Sequence, residues 1–185
     1  LIMFTVISTC SIYYGVTTYK FTAFTMVMLF LAGMLVFTLV EYLVHRYIYH
    51  IKPKTRRMEK FSYTAHGVHH DYPKDKARLA MPPLLAILVS TVFYLFYWAL
   101  MGNFVYGFLA GFLMGYTGYL CVHYSVHAFR VPNNFLKILW HHHAIHHYRE
   151  PNKAFGVSSP LWDIIFGTMP TKDFNKGKKG GEFID

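Results

Sequence analysis

Charged residues are scarce in this 185-residue chain, acidic ones especially. Asp, Glu, Lys and Arg make up 15% of the sequence, with 9 acidic residues against 18 basic ones and a formal charge of +9. Lys20 is the only charged residue before Glu41, and none occurs from Leu79 to Phe129. A chain that is 54% hydrophobic and so unevenly charged is neither a disordered protein nor a nucleic-acid-binding module.

Cysteine is almost absent as well. Cys10 and Cys121 both lie in apolar stretches, and such a pair does not form the framework of a disulfide-stabilised secreted fold. The first apolar stretch lacks the basic segment and the cleavage site of a signal peptide, so we expect it to remain as a membrane span. The chain begins at Leu1 without an initiator methionine, which leaves room for further residues upstream.

Long apolar runs make up much of the sequence. The hydrocarbon core of a bilayer is about 30 Å thick and needs about 20 helical residues to cross it. The sequence therefore predicts two membrane hairpins, giving four spans at about residues 1–17, 21–44, 82–101 and 104–122. The alternative is a buried helical bundle within a larger soluble protein. This short chain, however, has no polar helix faces that could cover such a bundle and face water.

The basic residues indicate the orientation. All of the Lys and Arg residues except Lys20 fall in segments 45–81 and 123–185, which the two hairpins return to one side of the membrane. The positive-inside rule makes that side cytoplasmic. The predicted fold is all-α, a four-helix membrane bundle with a cytoplasmic helical cap, in one domain over residues 1–185. The lysine- and glycine-rich run 176–181 is interpreted as a solvated end, or as a contact for anionic lipid headgroups.

All 12 histidines lie in the two cytoplasmic segments or at the span ends that enter them. Apart from His141 and His142, they form four spaced groups: H-x4-H at His45 and His50, H-x2-HH at His66, His69 and His70, H-x3-H at His123 and His127, and H-x2-HH at His143, His146 and His147.

Helical geometry limits how these groups can bind metal. Residues three or four positions apart share a helix face, so His123 and His127 can bind one ion, and so can His143 with His146 or His147. Adjacent histidines diverge by about 100°, and the pairs His69–His70 and His146–His147 can therefore face two neighbouring ions.

His45 and His50 are harder to combine. They lie about 140° apart on an ideal helix, so they need a helix end, a π-type bulge or two different ions. The ten spaced imidazoles would give two ions about five nitrogens each, which leaves Fe, Zn, Cu and Ni all possible. Interfacial histidines or a disordered, adventitiously chelating tract are the alternatives; the hairpins that bring the groups together favour a metal centre.

Four motifs carry a family resemblance: EYLVHRYIYH at 41–50, HGVHHDYPKDKARLAMPP at 66–83, HYSVH at 123–127, and HHHAIHHY followed by FGVSSPLWDIIFGT at 155–168. From about Val40 to Thr168 the chain resembles the fatty acid hydroxylase superfamily, and most closely the fatty acid 2-hydroxylases, which act on sphingolipid acyl chains. The DYPKDKARLAMPP stretch favours this branch over sterol desaturases and C4-methyl oxidases. Carotenoid hydroxylases, which share an early H-x4-H, are the nearest competitor.

The resemblance implies a membrane-bound monooxygenase with two iron ions that uses O2 and two electrons to hydroxylate a lipid C–H bond. The bond would be C2 of a fatty acyl chain, free or in a sphingolipid or ceramide; the alternative is a sterol or carotenoid oxidase with the same centre. The implied ligands are His45, His50, His66, His69, His70, His123, His127, His143, His146 and His147. Zinc can replace iron in purified protein because it lies higher in the affinity order.

The resemblance also implies partners and a location. The chain shows no cytochrome b5 domain, so we expect the electrons to come from a separate cytochrome b5-like or ferredoxin-like donor with its reductase, or from a domain upstream of Leu1. We expect no nucleic-acid partner. The membrane would be the endoplasmic reticulum in a eukaryote or the inner membrane in a bacterium, with the active site on the cytoplasmic side. A metal transporter is disfavoured because no ionisable residue lies at mid-span.

Metal-bound imidazoles commonly donate their second N–H to a carboxylate. The candidates for this supporting role are Glu41, Asp71, Asp75 and Asp163. For Asp71 and Asp75 the alternative is pairing with Lys74, Lys76 or Arg78. Glu41 stands at the end of an apolar span, where an unpaired acid is costly, and this placement favours a function.

Overall fold

The computed structural model describes residues 1–171, and all of their side chains except that of Lys76. Every regular element in that range is helical, in agreement with the predicted all-α fold. The predicted solvated end at 176–181 lies outside the described residues. The α-helices are α1 Ile2–Thr18, α2 Ala23–Val44, α3 Arg56–Ser62, α4 Val68–Asp71, α5 Pro83–Met101, α6 Val105–Ala128, α7 Lys137–Tyr148 and α8 Leu161–Ile165.

Shorter helical turns connect several of these elements. A π-helix at His45–Tyr49 continues α2, and a second π-helix at Tyr63–Gly67 connects α3 to α4. Turns of 3-10 helix cover Lys76–Arg78 and Gly102–Phe104. Thr55 caps α3, since its side chain accepts a hydrogen bond from the backbone N–H of Met58.

The long helices correspond to the apolar runs of the sequence. Two stretches, Ala23–Tyr49 and Pro83–Ala128, are long and apolar enough to cross a membrane, and Ile2–Thr18 is apolar but shorter. The second stretch includes the predicted hairpin tip, where Gly102 adopts a φ of 56° that favours glycine. Helix α6 extends past the predicted span end to Ala128 and therefore carries His123 and His127. Four membrane crossings and a cytoplasmic cap stay predictions.

The chain divides into two compact units. The first consists of Leu1–Thr38 and Ala80–Leu120, and the second of Leu39–Leu79 and the residues from Cys121 onward. The interpretation of residues 1–185 as one hydroxylase domain stays a prediction.

In the first unit, α2 and α6 approach each other at the backbone. A Cβ on Gly111 would lie 1.9 Å from the carbonyl oxygen of Phe30, and one on Gly33 would lie 2.0 Å from that of Phe108. Helix α1 joins this pair, because the Ser8 hydroxyl donates to the carbonyl of Ala110 at 3.1 Å. Only glycine permits such close contact between α2 and α6.

The second unit holds every histidine of the chain. Its central helix α7 buries one side, which includes Leu139, His142, His143, Ile145 and His146. The segment between α7 and α8 is also buried at Ala154–Val157. Tyr42 from the end of α2 is fully buried, and its hydroxyl shares a 2.8 Å hydrogen bond with that of Thr168.

Candidate metal centre

The structure brings the ten predicted ligands together in two groups of five. Within each group, one ring nitrogen per histidine can be chosen so that all five lie within 4.8 Å of one another. The first histidine group consists of His45, His50, His66, His70 and His146. The second histidine group consists of His69, His123, His127, His143 and His147.

A π-helix explains the H-x4-H spacing. The backbone N–H of His50 donates to the carbonyl of His45 at 3.1 Å, which is the i to i+5 bond of a π-helix. The wider turn places the His45 and His50 rings 5.1 Å apart in the same group. Of the three arrangements that the spacing allowed, the structure has the π-type bulge.

Adjacent histidines separate between the groups, as the 100° divergence predicted. His70 lies in the first group and His69 in the second, with a 73° angle between their ring planes. His146 and His147 separate in the same way, at 87°. Sequence spacing left two partners open for His143, and the structure pairs it with His147, one helical turn away, in the second group.

The distances between ring nitrogens fit ligands of a shared ion. In the first group, the Nε2 atom of His66 lies 3.0 Å from that of His45 and 3.0 Å from that of His70. In the second, Nε2 of His127 lies 2.8 Å from that of His143. Two nitrogens that are each about 2.1 Å from one ion, at right angles, would stand about 3.0 Å apart.

Unpaired nitrogens support the same conclusion. Nε2 of His50, Nε2 of His146 and both ring nitrogens of His147 are buried without a hydrogen-bond partner in the described part of the chain. Leaving one such group unpaired costs about 1–3 kcal/mol, and a bound ion removes that cost. The donor set therefore fits metal ions bound by imidazole.

Backbone carbonyls orient three of the imidazole rings by accepting a hydrogen bond from Nδ1–H. Nδ1–H of His45 donates to Phe155 O at 2.5 Å, that of His146 to Lys153 O at 2.7 Å, and that of His123 to Leu79 O at 3.1 Å. These bonds turn each Nε2 toward its histidine group and leave its lone pair available. Sequence reasoning missed them because a carbonyl is present at every residue and leaves no signature in side-chain type.

Glu41 and Asp163 hold the loop that supplies two of these carbonyls. Buried Glu41 accepts hydrogen bonds from the N–H groups of Val157 at 2.7 Å and Ser158 at 2.9 Å, and from the Ser158 hydroxyl. Asp163 is fully buried and accepts from the N–H groups of Phe155 at 2.9 Å and Gly156 at 2.7 Å. Both acids therefore act on the loop rather than directly on the ligands.

Asp163 also contacts His142, one of the two histidines outside the spaced groups. His142 Nε2 lies 3.0 Å from its carboxylate, and the Thr168 hydroxyl donates to it at 2.7 Å. Burial opposes ionisation of Asp163, but the hydrogen bonds from His142, Thr168 and Gly156 outweigh it and lower the pKa of the carboxyl. His141 belongs to neither group, and the absence of a ligand role for His141 and His142 stays a prediction.

The two remaining acids are partly or fully exposed. Asp75 forms an ion pair with Arg78 at 2.7 Å, which is the alternative that the sequence left open for it. Asp71 accepts a 3.0 Å hydrogen bond from the Tyr63 hydroxyl.

Burial keeps the imidazoles neutral. It lowers the pKa of His50 and that of His70 to about 4, and it lowers the pKa of His66, His143 and His146 well below the usual value. A neutral ring keeps a nitrogen lone pair, which metal binding requires. At neutral pH these rings are ready to bind an ion.

Residues 30–168 match the sequence model of the family described as "Fatty acid hydroxylase". The chain belongs to the fatty acid hydroxylase family. That range contains all ten histidines of the two groups, as well as Glu41 and Asp163, so the family assignment covers the whole candidate site.

Three curated relatives of the family illustrate the similarity. The chain is 40% identical over 146 residues to the fatty acid 2-hydroxylase of Rattus norvegicus, covering 76% of this chain and 39% of the relative. It is 36% identical over 146 residues to the ceramide very long chain fatty acid hydroxylase scs7 of Schizosaccharomyces pombe, covering 75% and 41%. It is 34% identical over 140 residues to a dihydroceramide fatty acyl 2-hydroxylase of Arabidopsis thaliana, covering 75% and 59%.

A solved structure shares the fold. The structure of full-length scs7p, in which only the hydroxylase domain is visible, superposes with a TM-score of 0.84 at 31% sequence identity. The match covers 91% of this chain and 64% of that one. The chain thus spans less than two thirds of the length of each of these relatives.

Proposed function

We propose that this protein hydroxylates C2 of a fatty acyl chain, using O2 at a dinuclear iron centre held by the two histidine groups. The observation that carries the proposal is that ten histidines form two groups of five. Residues that are adjacent in the chain, such as His69 and His70, belong to different groups. The relatives named as fatty acid, ceramide and dihydroceramide 2-hydroxylases support an acyl substrate.

The overall reaction takes the C–H bond, O2, two electrons and two protons, and yields the C–OH product and water. Iron bound by the imidazoles would supply the oxidising power, which side chains alone lack. The proposal includes a separate cytochrome b5-like or ferredoxin-like donor, with its reductase, as the source of the two electrons.

The protein's own residues give the centre its geometry. The carbonyls of Lys153, Phe155 and Leu79 orient three ligands, and Glu41 and Asp163 hold the loop that carries the first two. His143 and His146 are almost completely buried, which keeps water away from that side of the centre. Such fixed ligands bind an ion without reorganisation.

Helix α6 suggests how the substrate is oriented. Its apolar residues precede His123 and His127, so the ligands stand at one end of a long hydrophobic helix. An acyl tail gains about 0.8 kcal/mol for each CH2 kept in hydrocarbon. With the tail in the bilayer and the polar headgroup at the level of the histidines, the carbons next to the headgroup reach the metals first, which favours C2.

The proposal extends to location. The protein would cross the membrane four times as one hydroxylase domain, with the histidines on the cytoplasmic side, in the endoplasmic reticulum of a eukaryote or the inner membrane of a bacterium. The confinement of Lys and Arg, apart from Lys20, to segments 45–81 and 123–185 supports this orientation.

The test is mass spectrometry of lipids from cells with and without the protein. We expect a gain of one oxygen on acyl chains, absent from cells that make the His127→Ala variant and retained with His141→Ala at equal protein level. An added oxygen on sterols or carotenoids, with acyl chains unchanged, would replace the proposed substrate and leave the metal centre in place.

A further inference from the structure

Ala154 is a strained residue in the loop that orients two candidate ligands. Its φ is 57°, in the left-handed region that residues other than glycine rarely adopt, and the residue is completely buried. It stands between Lys153 and Phe155, whose carbonyls accept the Nδ1–H groups of His146 and His45 respectively. Such a backbone conformation costs about 1–3 kcal/mol and persists only where the surrounding contacts hold it.

Thr168 holds this turn through both its backbone and its side chain. Its carbonyl accepts a hydrogen bond from the N–H of Ala154 at 2.9 Å. Its hydroxyl donates to the carboxylate of Asp163 at 2.7 Å, and the same carboxylate accepts from the N–H of Phe155. Thr168 therefore acts on Ala154 directly and on Phe155 through Asp163.

A chain of hydrogen bonds leads from Thr168 to the π-helix at His45–Tyr49. The Thr168 hydroxyl lies 2.8 Å from that of Tyr42, and the Tyr42 oxygen accepts a 2.7 Å bond from the guanidinium of Arg46. A guanidinium can only donate, and Thr168 gives its one hydroxyl hydrogen to Asp163. The Tyr42 hydroxyl must therefore donate to Thr168. Every bond in the chain then runs from the Arg46 cation toward the Asp163 carboxylate, and bonds in such a series polarise one another.

This chain contacts the first histidine group and not the second. Arg46 directly follows His45 in the π-helix, and its guanidinium carbon lies 6.0 Å from the centre of the Phe155 ring. The loop at the other end of the chain supplies both carbonyls that orient rings of the first group. In the second group, His123 is instead oriented by the carbonyl of Leu79, which lies outside that loop.

We propose that Tyr42 is a positioning residue of the first histidine group. Its buried hydroxyl joins Arg46 to Thr168 and so keeps the Ala154 turn in its strained conformation, with the two carbonyls directed at their imidazoles. The inference rests on the proposed metal centre and deepens it: an ion in the first group depends on the Tyr42 hydroxyl, and an ion in the second group does not.

Zinc binding, rather than turnover, tests this assignment. The full chain is placed in nanodiscs of neutral phosphatidylcholine, and competition with a chelator measures its affinity for zinc. Two backgrounds separate the groups, since His127→Ala leaves the first group intact and His50→Ala leaves the second intact. Tyr42→Phe, which removes only the hydroxyl, is introduced into each background. The matched control is Tyr47→Phe, at an exposed tyrosine within the π-helix.

The two backgrounds should respond differently. With His127→Ala, Tyr42→Phe should weaken zinc binding by about tenfold or more, the scale seen when residues that orient metal ligands are replaced. With His50→Ala, the same substitution should leave zinc binding unchanged. Tyr47→Phe should alter neither affinity.

Two substitutions at Thr168 separate the hydrogen bond from general packing. Thr168→Val keeps the shape of the side chain but removes the hydroxyl, so it should weaken zinc binding by the first group as Tyr42→Phe does. Thr168→Ser keeps the hydroxyl and should retain the affinity. Combining Tyr42→Phe with Thr168→Val should add little further loss, because both interrupt one chain. If Tyr42→Phe does not accumulate in membranes, the two Thr168 variants provide the same comparison.

Several results would overturn the inference: equal loss of zinc affinity in both backgrounds, no loss in either, the same loss with Tyr47→Phe, or equal affinities of Thr168→Val and Thr168→Ser. An absence of bound zinc from either background would also overturn it, because support of one group alone requires two separable ions. Failure here is distinguishable from failure of the proposed function, because cells could still form 2-hydroxyacyl lipid. Conversely, selective loss of zinc without that product in cells would contradict the proposed function alone.

Discussion

The Nε2 atoms of His69 and His123 lie 3.0 Å apart, although 54 positions separate these residues in the chain. One follows the second π-helix and the other stands near the end of the long apolar helix α6. The His69 ring also contacts the rings of His127 and His147, and the His123 ring contacts that of His143. The second histidine group therefore consists of residues from α4, α6 and α7. The geometry expected of a metal centre arises here from three separate elements.

Replacing single ligands should remove ions group by group. We expect two ions in the intact protein, and about one in His146→Ala, which disrupts the first group, or in His127→Ala or His69→Ala, which disrupt the second. Activity should be lost in each variant, while membrane insertion is retained because apolar spans and basic residues determine it. Metal content per chain and protein in the membrane fraction are the measurements.

The matched control for these variants is His141→Ala on the same α7 helix. It should keep both ions and full activity. A loss of both ions in every ligand variant would show that the two groups do not bind independently, and full activity in all of them would contradict a metal-dependent reaction.

The sequence predicted the partition of the histidines well, because helical periodicity is a local property. The separation of His69 from His70, and of His146 from His147, follows from 100° per residue alone. The pairing of His143 with His147 rather than His146 could not be predicted from the sequence. Both residues lie on the same helix face as His143, and only the packing of the surrounding helices selects one of them. The π-helix at His45–Tyr49 was one of three arrangements that the spacing permitted.

The supporting hydrogen bonds were harder to predict. Glu41 was singled out as an acid at a span end, but its partners Val157 and Ser158 lie 116 and 117 positions away and offer backbone N–H groups. Asp163 binds the leftover His142 and the loop. Such contacts depend on tertiary structure, and a backbone donor leaves no trace in the sequence pattern.

Replacing Glu41 by glutamine should loosen the loop that holds His45. In Glu41→Gln, an amide takes the place of the carboxyl group that accepts from two backbone N–H groups and from the Ser158 hydroxyl. We expect a loss of about 1–3 kcal/mol in the free energy of unfolding. Chemical denaturation of the zinc-loaded protein measures it, and exposed Glu59→Gln on α3 provides the control. Equal stability of both variants would mean that Glu41 does not support the loop.

The backbone contact between α2 and α6 gives a prediction with a close control. Gly111→Ala would place a methyl group 1.9 Å from Phe30 O, so the helices must move apart and the protein should unfold at a lower temperature. Gly118→Ala, on the same helix, meets nothing within 4 Å in the described structure and should be neutral or slightly stabilising. Equal melting temperatures of the two variants would contradict the close packing.

The metal-free protein should lose stability in mild acid. Burial lowers the pKa of His50 and of His70 to about 4, whereas an unfolded histidine titrates near pH 6.5. Between these values the unfolded chain takes up protons that the folded one excludes, so the free energy of unfolding falls as pH decreases below about 6.5. Each such histidine contributes a slope of at most about 1.4 kcal/mol per pH unit.

Denaturation of the chelator-treated protein at pH 7.5 and pH 5 measures this dependence. In the variant His50→Gln/His70→Gln the slope between the two pH values should be smaller. An unchanged slope would show that these two rings do not govern it.

The position of newly inserted oxygen tests the central proposal most directly. Cells that make the protein are grown under 18O2, and fragmentation mass spectrometry locates the label in their lipids. The account predicts one 18O atom at C2 of a fatty acyl group, and none in cells with His127→Ala. A labelled hydroxyl on a sterol methyl, on a carotenoid ring or near the methyl end of an acyl chain would contradict it, as would a C2 hydroxyl without 18O.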